Sequence, residues 1–549
     1  MFHFSTVAPR NATAAGSGPS LKRRAVLATL MMAATTASSA LADGPISVLY
    51  TFQAPSAQYT SPLGSQPDTL PVLGPGNIVY GMAYDGGQYG NGVIYAFSLQ
   101  SQQYTVLHTF SALDPNGNNQ DGATPGVALT LGPDGVLYGM ASYGGQNGNG
   151  TIFKITTSGL FTVLHTFSAL DANLHNEDGA NPLRTVVIGN DGNLYGTTRL
   201  GGQNTCGGSS FDTGGCGVAW VMDTSGNNFS VLHQFTLAEG HAASLLQAQD
   251  GFFYGCAVWP ATSTPSGAPL PSGILYRMAP YGNLEVLYTF SQTDANGNNT
   301  DGAGCYEPLV ETAPGVFYGA TFYGGTNGNG VVFSYSLLKP TVVEIVHNFS
   351  SVNAAGENSD GANPHARLTL GPDGTLYSTA VDGGTNGNGV VYSISPSGSF
   401  QVLHTFSATD PNTGANMDGA IPDYGVLLDG NYSLIGITDY GGNGSSLGFN
   451  YSGGTLYQLY VKTVAVANPK NVSAPQALLQ LDGTASTSAD GNPLLYQWSL
   501  APTSQPAVIV NANTATPTVQ FGGKGSYTFV LTVTDDTGTT ATDSTTISH

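Results

Sequence analysis

The sequence is poor in charged residues, and basic ones are especially scarce. Only 9% of the 549 residues are charged, and 34 acidic residues stand against 13 basic ones. Such a chain repels nucleic acid and anionic membrane surfaces, so neither is an expected partner. Its 75 glycines favour short strands joined by many turns and leave little room for helices.

Long apolar runs are also scarce, and the clearest one lies near the N-terminus. Lys22-Arg23-Arg24 precedes the run from Ala25 to Leu41, and Ala40-Leu41-Ala42 is a small-x-small cleavage site. Residues 1–42 therefore predict an export signal, either of the twin-arginine type or an ordinary secretory peptide. Its removal leaves nine basic residues and a net charge of about −25, which favours cations or neutral ligands.

Cysteine is rare, with four residues and no C-x-x-C pair that would indicate zinc or redox chemistry. In an exported chain these cysteines are expected to form disulfides. Cys206 and Cys216 flank a Gly/Ser-rich insertion, and Cys256 and Cys305 lie in successive repeats. We predict the disulfides Cys206–Cys216 and Cys256–Cys305.

The chain does contain a repeated unit of four short apolar runs separated by turn signals. Residues 124–167 show it clearly, with the pair Tyr138-Gly139 in the second run and Phe167 at the end of the fourth. The phenylalanine recurs at intervals of 55–68 residues, as Phe52, Phe110, Phe167, Phe235, Phe290, Phe349 and Phe406. A single sheet of this kind must stack on copies of itself. The repeat therefore predicts an all-β, seven-bladed β-propeller over residues 44–462.

The two ends of the repeat region are complementary. Residues 48–52 form a fourth run without the first three, whereas residues 424–460 supply three runs without a fourth. We predict that the N-terminal strand 48–52 completes the seventh blade near Leu456 to Leu459, because ring closure leaves no exposed sheet edge.

The repeat stops after Val461. Residues 463–474 read as a linker, and residues 475–549 show a different alternating pattern around Trp498. This pattern predicts a small immunoglobulin-like β-sandwich with Trp498 in its core.

Two family resemblances follow from these motifs. The recurring DG-A-x-P, L-x-L-G-x-DG-x-L-Y-G and GG-x-x-G-x-G pieces resemble the GloVer-type tandem repeat of exported bacterial proteins. The C-terminal module is similar to a PKD domain in its segments 482–486, 496–498 and 527–536. Neither resemblance implies a catalytic residue.

Histidines and acids are the candidates for chemistry within the repeats. Five histidines occupy one place in the fourth run, where Tyr50 and Tyr288 replace them in the other copies: His108, His165, His233, His347 and His404. Equivalent copies that alternate with tyrosine indicate a packing position between blades with a polar tip. Glycoside cleavage needs two neighbouring carboxyl groups, and the sequence does not show whether Glu239, Asp250, Glu307 and Glu311 supply them.

The loops between blades carry acid and amide side chains at regular offsets, and oxygen ligands at such spacing resemble calcium loops. The alternative is that Asn, Asp and Gly simply allow a long turn. The candidate ligand or calcium residues are Asp114, Asn116, Asn118, Asp121, Asp294, Asn296, Asn298 and Asp301. Because alternate turns of a blade lie on one side, these loops and the Gly-Asn tracts define a loop-rich face, where we expect binding.

We therefore expect an exported, non-catalytic scaffold that binds an extracellular glycan or protein through this loop-rich face. The expected protein is a monomer without a membrane span after signal removal, and it is periplasmic, secreted or at the cell surface. No cofactor is expected, apart from calcium at these loops. The alternative is an exported polysaccharide hydrolase or lyase with the propeller as catalytic domain, which a cluster of acids in the central channel would favour.

Overall fold

The computed structural model describes residues 46–549, apart from 55–59, 127, 207–213, 259–271, 430–431, 443–452, 471, 475, 477, 489–492, 503 and 536–537. The predicted signal, residues 1–42, lies outside the described residues. Every regular element in the described ranges is a β-strand, which confirms the all-β prediction. Within those ranges no helix is long and apolar enough to cross a membrane.

The described residues of the repeat region form thirty strands. In chain order they are β1 Ile46–Thr51, β2 Ser61–Pro67, β3 Val72–Gly74, β4 Ile78–Gly87, β5 Val93–Ser98, β6 Tyr104–Thr109, β7 Thr130–Leu131, β8 Val136–Ala141, β9 Thr151–Thr156, β10 Phe161–Thr166, β11 Ala180–Ile188, β12 Leu194–Leu200, β13 Val218–Met222, β14 Ser230–Gln234, β15 His241–Ala242, β16 Leu246–Gln247, β17 Phe253–Val258, β18 Gly273–Met278, β19 Leu284–Phe290, β20 Val310–Ala313, β21 Val316–Thr321, β22 Val331–Ser336, β23 Val343–Asn348, β24 Thr369–Leu370, β25 Leu376–Ala380, β26 Val390–Ile394, β27 Phe400–Thr405, β28 Val426–Leu428, β29 Ser433–Thr438 and β30 Thr455–Tyr460.

These strands form seven antiparallel sheets of four or five strands. The first sheet contains β2 to β6, the second β7 to β10, the third β11 to β14, and the fourth β15 to β19. The fifth contains β20 to β23, the sixth β24 to β27, and the seventh β28 to β30 with β1. In each sheet the pairing of the last two strands contains a β-bulge, so the repeat in sequence is also a repeat in register.

The N-terminal strand completes the seventh sheet, as predicted. In the antiparallel pairing of β1 with β30, Ile46 lies opposite Leu459 and Thr51 lies opposite Thr455. The backbone N–H of Phe52 extends the pairing by donating to the carbonyl of Gly454 at 3.0 Å. Strand β1, which precedes the first repeat in sequence, therefore pairs with the last repeat.

The apolar core of the repeat region lies between the sheets rather than within one central mass. Six clusters of buried side chains each join two successive sheets, from the first with the second to the sixth with the seventh. A further cluster joins the seventh sheet to the first through Phe52, Tyr95 and Ile435. Successive packing that returns to its start is a closed ring, the arrangement of a propeller.

The Tyr-Gly motif of the second run has a packing cause. A Cβ atom added to Gly139 would lie 2.7 Å from the ring of Phe153, and one added to Gly81 would lie 2.4 Å from the hydroxyl of Tyr95. The glycine thus makes room for an aromatic ring of the third strand, which packs against the neighbouring sheet. The sixth sheet keeps the aromatic Tyr392 and has Ser378 in place of the glycine.

The C-terminal region forms two three-stranded sheets of its own. Its strands are β31 Leu478–Gln480, β32 Leu495–Leu500, β33 Ala507–Val510, β34 Thr518–Phe521, β35 Ser526–Thr534 and β36 Thr540–Ser548. The sheets are ordered β31-β34-β33 and β32-β35-β36. Trp498 is buried between them, as predicted for an immunoglobulin-like sandwich.

The segment that the sequence assigned to a linker contacts this C-terminal domain. Val464 pairs with Thr487, and Asn468 pairs with Asp482. The N–H of Ala467 donates to the carboxylate of Asp543 at 2.7 Å. Residues 464–468 therefore pack along the sandwich as a further part of it.

Candidate functional site at the centre of the ring

The five repeated histidines hold the loops between sheets rather than forming a catalytic centre. His108 Nε2 lies 3.0 Å from Asp121, and the ring stacks on Phe161 of the next sheet with centroids 3.9 Å apart. His165, His233, His347 and His404 pair with Asp178, Glu239, Asp360 and Asp418 at 2.9–3.1 Å. In the fourth sheet Tyr288 donates to Asp301 at 2.8 Å. The predicted packing position with a polar tip is confirmed.

Each such acid also accepts hydrogen bonds from the residue after the repeated phenylalanine. Asp121 accepts from the N–H and the hydroxyl of Ser111, and Asp301 accepts from the same groups of Ser291. Although burial opposes ionisation, the bonds from His108 and Ser111 lower the pKa of Asp121 below its ordinary value. We call this arrangement of histidine, acid and serine or threonine the loop clasp.

The other predicted loop residues form turns. Asp114 Oδ1 accepts from the N–H groups of Asn116 and Asn118 at 2.8 and 2.9 Å, and these bonds lower its pKa. Asp294 makes the same two bonds with Asn296 and Asn298. These bonds are the ones expected if the Asn, Asp and Gly residues of the loop only form a long turn. In the described ranges these loops contain no group of three His, Cys, Asp or Glu side chains spaced for a metal ion.

Both predicted disulfides are present. Cys206 is bonded to Cys216, and Cys256 is bonded to Cys305. The second joins β17 of the fourth sheet to the segment before β20 of the fifth, so it links two neighbouring sheets covalently.

A polar network crosses the centre of the ring. Arg184 on β11 of the third sheet pairs with Glu307, which precedes the fifth sheet. Its Nη2 lies 3.2 Å from Nε2 of His365, which precedes the sixth sheet. Side chains from sheets this far apart in a seven-membered ring meet only near its axis. We call this region, lined by the segments before the first strands, the central opening.

The hydrogen bonds of the network determine the tautomer of a neutral His365. Because Arg184 donates to Nε2, the proton of a neutral His365 lies on Nδ1, which donates to Asp423 at 2.6 Å. His365 is almost fully buried and has rings of Tyr306 and Phe322 edge-on within 5.5 Å. It therefore joins the basic side of the opening to its acidic side.

Three carboxyl groups form the acidic side. Asp68 follows β2, Asp423 precedes β28, and Asp439 follows β29; one oxygen of each lies within 4.8 Å of the others. Among the described residues they are the one group spaced to hold a metal ion. Oδ1 of Asp439 is buried without a hydrogen-bond partner. The cluster thus brings together acids from the first and seventh sheets.

The proximity of these acids and their burial change their ionisation. Burial raises the pKa of Asp68 to about 8, and the charges of Asp423 and Asp85 act in the same direction. Burial and the charges of Asp68 and Asp423 also raise the pKa of Asp439 well above its ordinary value. Asp68 is therefore largely a neutral carboxylic acid at pH 7 and can donate a proton.

Half-buried tyrosines lie near this network: Tyr84 and Tyr424 near Asp68, and Tyr306 against His365. Burial and the charge of Asp68 raise the pKa of Tyr84 and that of Tyr424, so both remain neutral donors. The opening therefore combines aromatic faces with charged and neutral hydrogen-bonding groups.

Most residues of this site differ between the repeats, so the pattern common to the repeats did not indicate them. Of the four acids predicted from the sequence only Glu307 lies here; Glu239 belongs to a loop clasp, Asp250 accepts from Tyr254, and Glu311 accepts from the N–H of Gln249. The sequence signal that marks this site is a position at which the residue type changes from one repeat to the next. After the proline that these repeats share, the copies read Asp68, Gly126, Leu183, His365 and Asp423, whereas the neighbouring core positions barely change.

Two cavities lie elsewhere on the ring. One of about 490 Å³ is lined by Thr60, Pro62, Gly87, Gln88 and Thr109. Another of about 360 Å³ lies by the turns of the fifth and sixth sheets, near Tyr318 and Pro372. Neither lining contains an acid or a base, so the central opening is the better candidate site.

Comparisons with known proteins agree with this architecture. The Gloeobacter/Verrucomicrobia repeat matches residues 35–208 and 209–449, well over half of the chain, and a PKD domain family matches residues 467–548. The mouse (Mus musculus) dyslexia-associated protein KIAA0319-like protein is 33% identical over 136 residues, which cover 24% of this chain and 12% of the mouse protein. The chain thus spans about an eighth of that relative's length.

Solved structures show likeness to both regions. The PKD domain from KIAA 1837 protein is 28% identical, with 15% of this chain and 82% of that chain covered and a TM-score of 0.14. Oligogalacturonate lyase in complex with manganese is 13% identical, with 76% and 98% covered and a TM-score of 0.43. TolB from Acinetobacter baumannii is 13% identical, with 59% and 62% covered and a TM-score of 0.32.

Proposed function

The chain belongs to the Gloeobacter/Verrucomicrobia repeat family, and from that premise we propose that it is an extracellular protein whose ring binds a saccharide at the central opening. The observation that carries the proposal is the contact of Arg184 with His365 across the ring. It gathers side chains from several sheets into one polar and aromatic site, the kind of lining that small-ligand sites have.

The chemistry of the opening suits a saccharide. Tyrosine rings offer flat apolar faces to sugar rings, and their hydroxyls hydrogen-bond sugar hydroxyls. Neutral Asp68 can donate a hydrogen bond, and Asp423 can accept one. A site with both donors and acceptors among aromatic rings matches a ligand that carries many hydroxyl groups.

Two features of the chain support an extracellular location. Two disulfides and a PKD domain fit an extracellular protein. We propose export by the signal in residues 1–42, release into the periplasm or medium or display at the surface, and a monomeric state. The ring would comprise residues 44–462, and the domain at 475–549, together with the segment packed on it, would act as spacer or second contact.

A glycan array probed with residues 43–549 tests this function. We expect saccharide binding that Asp423→Asn weakens at least tenfold and Asp114→Asn leaves unchanged, since Asp114 lies in an exposed loop. Binding to protein partners alone, or loss of saccharide binding through Asp114→Asn and not Asp423→Asn, would contradict it.

The acid cluster favours a second candidate, cleavage of a polysaccharide. Retaining glycosidases place two carboxyl groups about 5 Å apart, one protonated and one ionised. The oxygens of Asp68 and Asp423 lie within 4.8 Å, and the raised pKa of Asp68 suits a general acid. A reducing-end assay on the bound polysaccharide tests this; activity that Asp68→Asn abolishes supports it, and no new reducing ends over a day refutes it.

A further inference from the structure

The few arginines of the protein are concentrated at the central opening. Four arginines follow residue 42, and they are Arg184, Arg199, Arg277 and Arg367. Arg184 lies in the central network. Arg199 lies two residues before the Gly-Gly pair of the third repeat, which is the position that Asp439 has in the seventh repeat. Arg277 alone lies elsewhere, in an exposed pair with Glu285. An acidic protein therefore places most of its guanidinium groups around one site.

Arg367 differs from Arg184 in the partners of its guanidinium. Arg367 is half-buried, and its guanidinium forms no hydrogen bond or ion pair with any residue in the described ranges. The backbone of Arg367 pairs with Gly425, which follows Tyr424 of the opening. The charge of Glu307 also acts on Arg367, so its guanidinium lies near the same network.

A half-buried guanidinium without a partner is costly, because the protein does not replace the hydration that burial removes. Burial accordingly lowers the pKa of Arg367, although the group stays charged at pH 7. An external anion would supply the missing acceptors. Guanidinium groups bind carboxylate and sulfate oxygens in a two-pronged geometry that neutral hydroxyls do not match.

We propose that the saccharide bound at the central opening is anionic, and that Arg367 binds its carboxylate or sulfate group. This inference rests on the proposed function and departs from the net charge, which by itself favours cationic or neutral ligands. At physiological ionic strength the charge of the distant surface is screened beyond about 8 Å, so the local guanidinium decides.

The three acids of the cluster and the two arginines come from different sheets. The acids lie on the first and seventh sheets, whereas Arg367 precedes the first strand of the sixth sheet and Arg184 lies on the third. The raised pKa of Asp68, about 8, leaves this carboxyl group largely neutral at pH 7, and the pKa of Asp439 is raised in the same direction. As a neutral acid Asp68 donates a hydrogen bond to a sugar oxygen, while the anionic group faces Arg367.

The test uses the exported protein, residues 43–549, and matched saccharides. Uronate oligosaccharides are printed beside their carboxyl-reduced forms, and sulfated oligosaccharides beside their desulfated forms. We expect the wild-type protein to bind one anionic class at least tenfold more tightly than its neutralised partner. The class that shows the difference identifies carboxylate or sulfate as the group recognised.

Variants then assign the recognition to Arg367. Arg367→Gln should remove the preference for the anionic form, Arg367→Lys should retain part of it, and the matched control Arg277→Gln should leave it unchanged. The comparison within the wild type needs no variant, so it stands even if Arg367→Gln fails to fold.

Equal binding of the anionic and neutralised forms would overturn this inference and leave the proposed function intact. Binding to no saccharide at all would overturn both. A preference for anions that Arg367→Gln preserves in a folded protein would overturn the role of Arg367.

Discussion

Arg184 and His365 are 181 residues apart in sequence, yet their side-chain nitrogens lie 3.2 Å apart at the centre of the ring. Arg184 donates to Nε2 of His365, which in turn donates from Nδ1 to Asp423. The same guanidinium pairs with Glu307. One side chain thus connects the third, fifth and sixth sheets, and through His365 it reaches the seventh.

We predict that Arg184→Met strongly destabilises the ring. Removing one partner of a buried ion pair leaves an uncompensated charge on Glu307, which costs about 3–5 kcal/mol. The matched control is Arg277→Met, whose pair with Glu285 is exposed and contributes about 0–1 kcal/mol. Urea unfolding of both variants measures the difference, and equal losses would show that the central network adds no stability.

The loop clasps give the second prediction. Asp121→Ala removes the acceptor of His108 and of two groups of Ser111, so we expect a loss of about 2–4 kcal/mol from hydrogen bonds to a charged group. Asp114→Ala removes only exposed turn bonds, which water replaces, and should lower the melting temperature much less. Thermal melts test the ranking; the opposite ranking would refute the clasp.

The third prediction is acid sensitivity. Burial opposes ionisation of the clasp acids, but bonds from histidine and serine outweigh it and lower the pKa of Asp121, Asp178, Asp360 and Asp418. A carboxyl group whose pKa is lowered by folding stabilises the protein above its unfolded pKa of about 3.9. That contribution is lost as the pH falls through the lower folded value.

Urea unfolding between pH 7 and pH 3 measures this loss. We expect a marked decrease in the free energy of unfolding below about pH 4, and a shallower decrease in Asp121→Asn, whose amide does not titrate. A variant that follows the wild-type slope throughout would contradict the role of Asp121.

The fourth prediction concerns ring closure by β1. Tyr50 on β1 stacks on Tyr104 of the first sheet with ring centroids 4.1 Å apart, and Phe52 is fully buried between the same sheets. Phe52→Ala should cost about 3–5 kcal/mol, as for other buried phenylalanines. Deleting residues 46–52 should expose the edge of β30 and cause aggregation. A deletion variant with an unchanged melting temperature and no aggregation would refute closure.

Much of the fold was predictable because each repeat carries the same local signals. The Tyr-Gly pairs, the turn glycines and the repeated phenylalanines reflect packing that recurs from sheet to sheet, so the sequence shows it several times. The join of β1 to β30 followed from counting strands. The contacts of residues 464–468 with the sandwich were missed because Asn468-Pro469 is also typical of a linker.

The central site was not predictable in the same way. Asp68, His365 and Asp423 are separated by 58 to 355 residues. Each follows the proline that the repeats share, but the residue type differs between copies, and only ring closure brings them together. The loop residues Asp114 and Asp294 were predicted as ligand or calcium residues because they repeat, and this repetition reflects turn geometry. Calcium at those loops stays a prediction.

Hydrogen–deuterium exchange in the presence of the tightest-binding glycan of the array shows where the ligand binds. We expect slower exchange in residues 364–368 and 422–425, which line the central opening, and unchanged exchange in residues 114–121 and 294–301. Protection confined to those loops, with no change at the central segments, would contradict binding at the central opening.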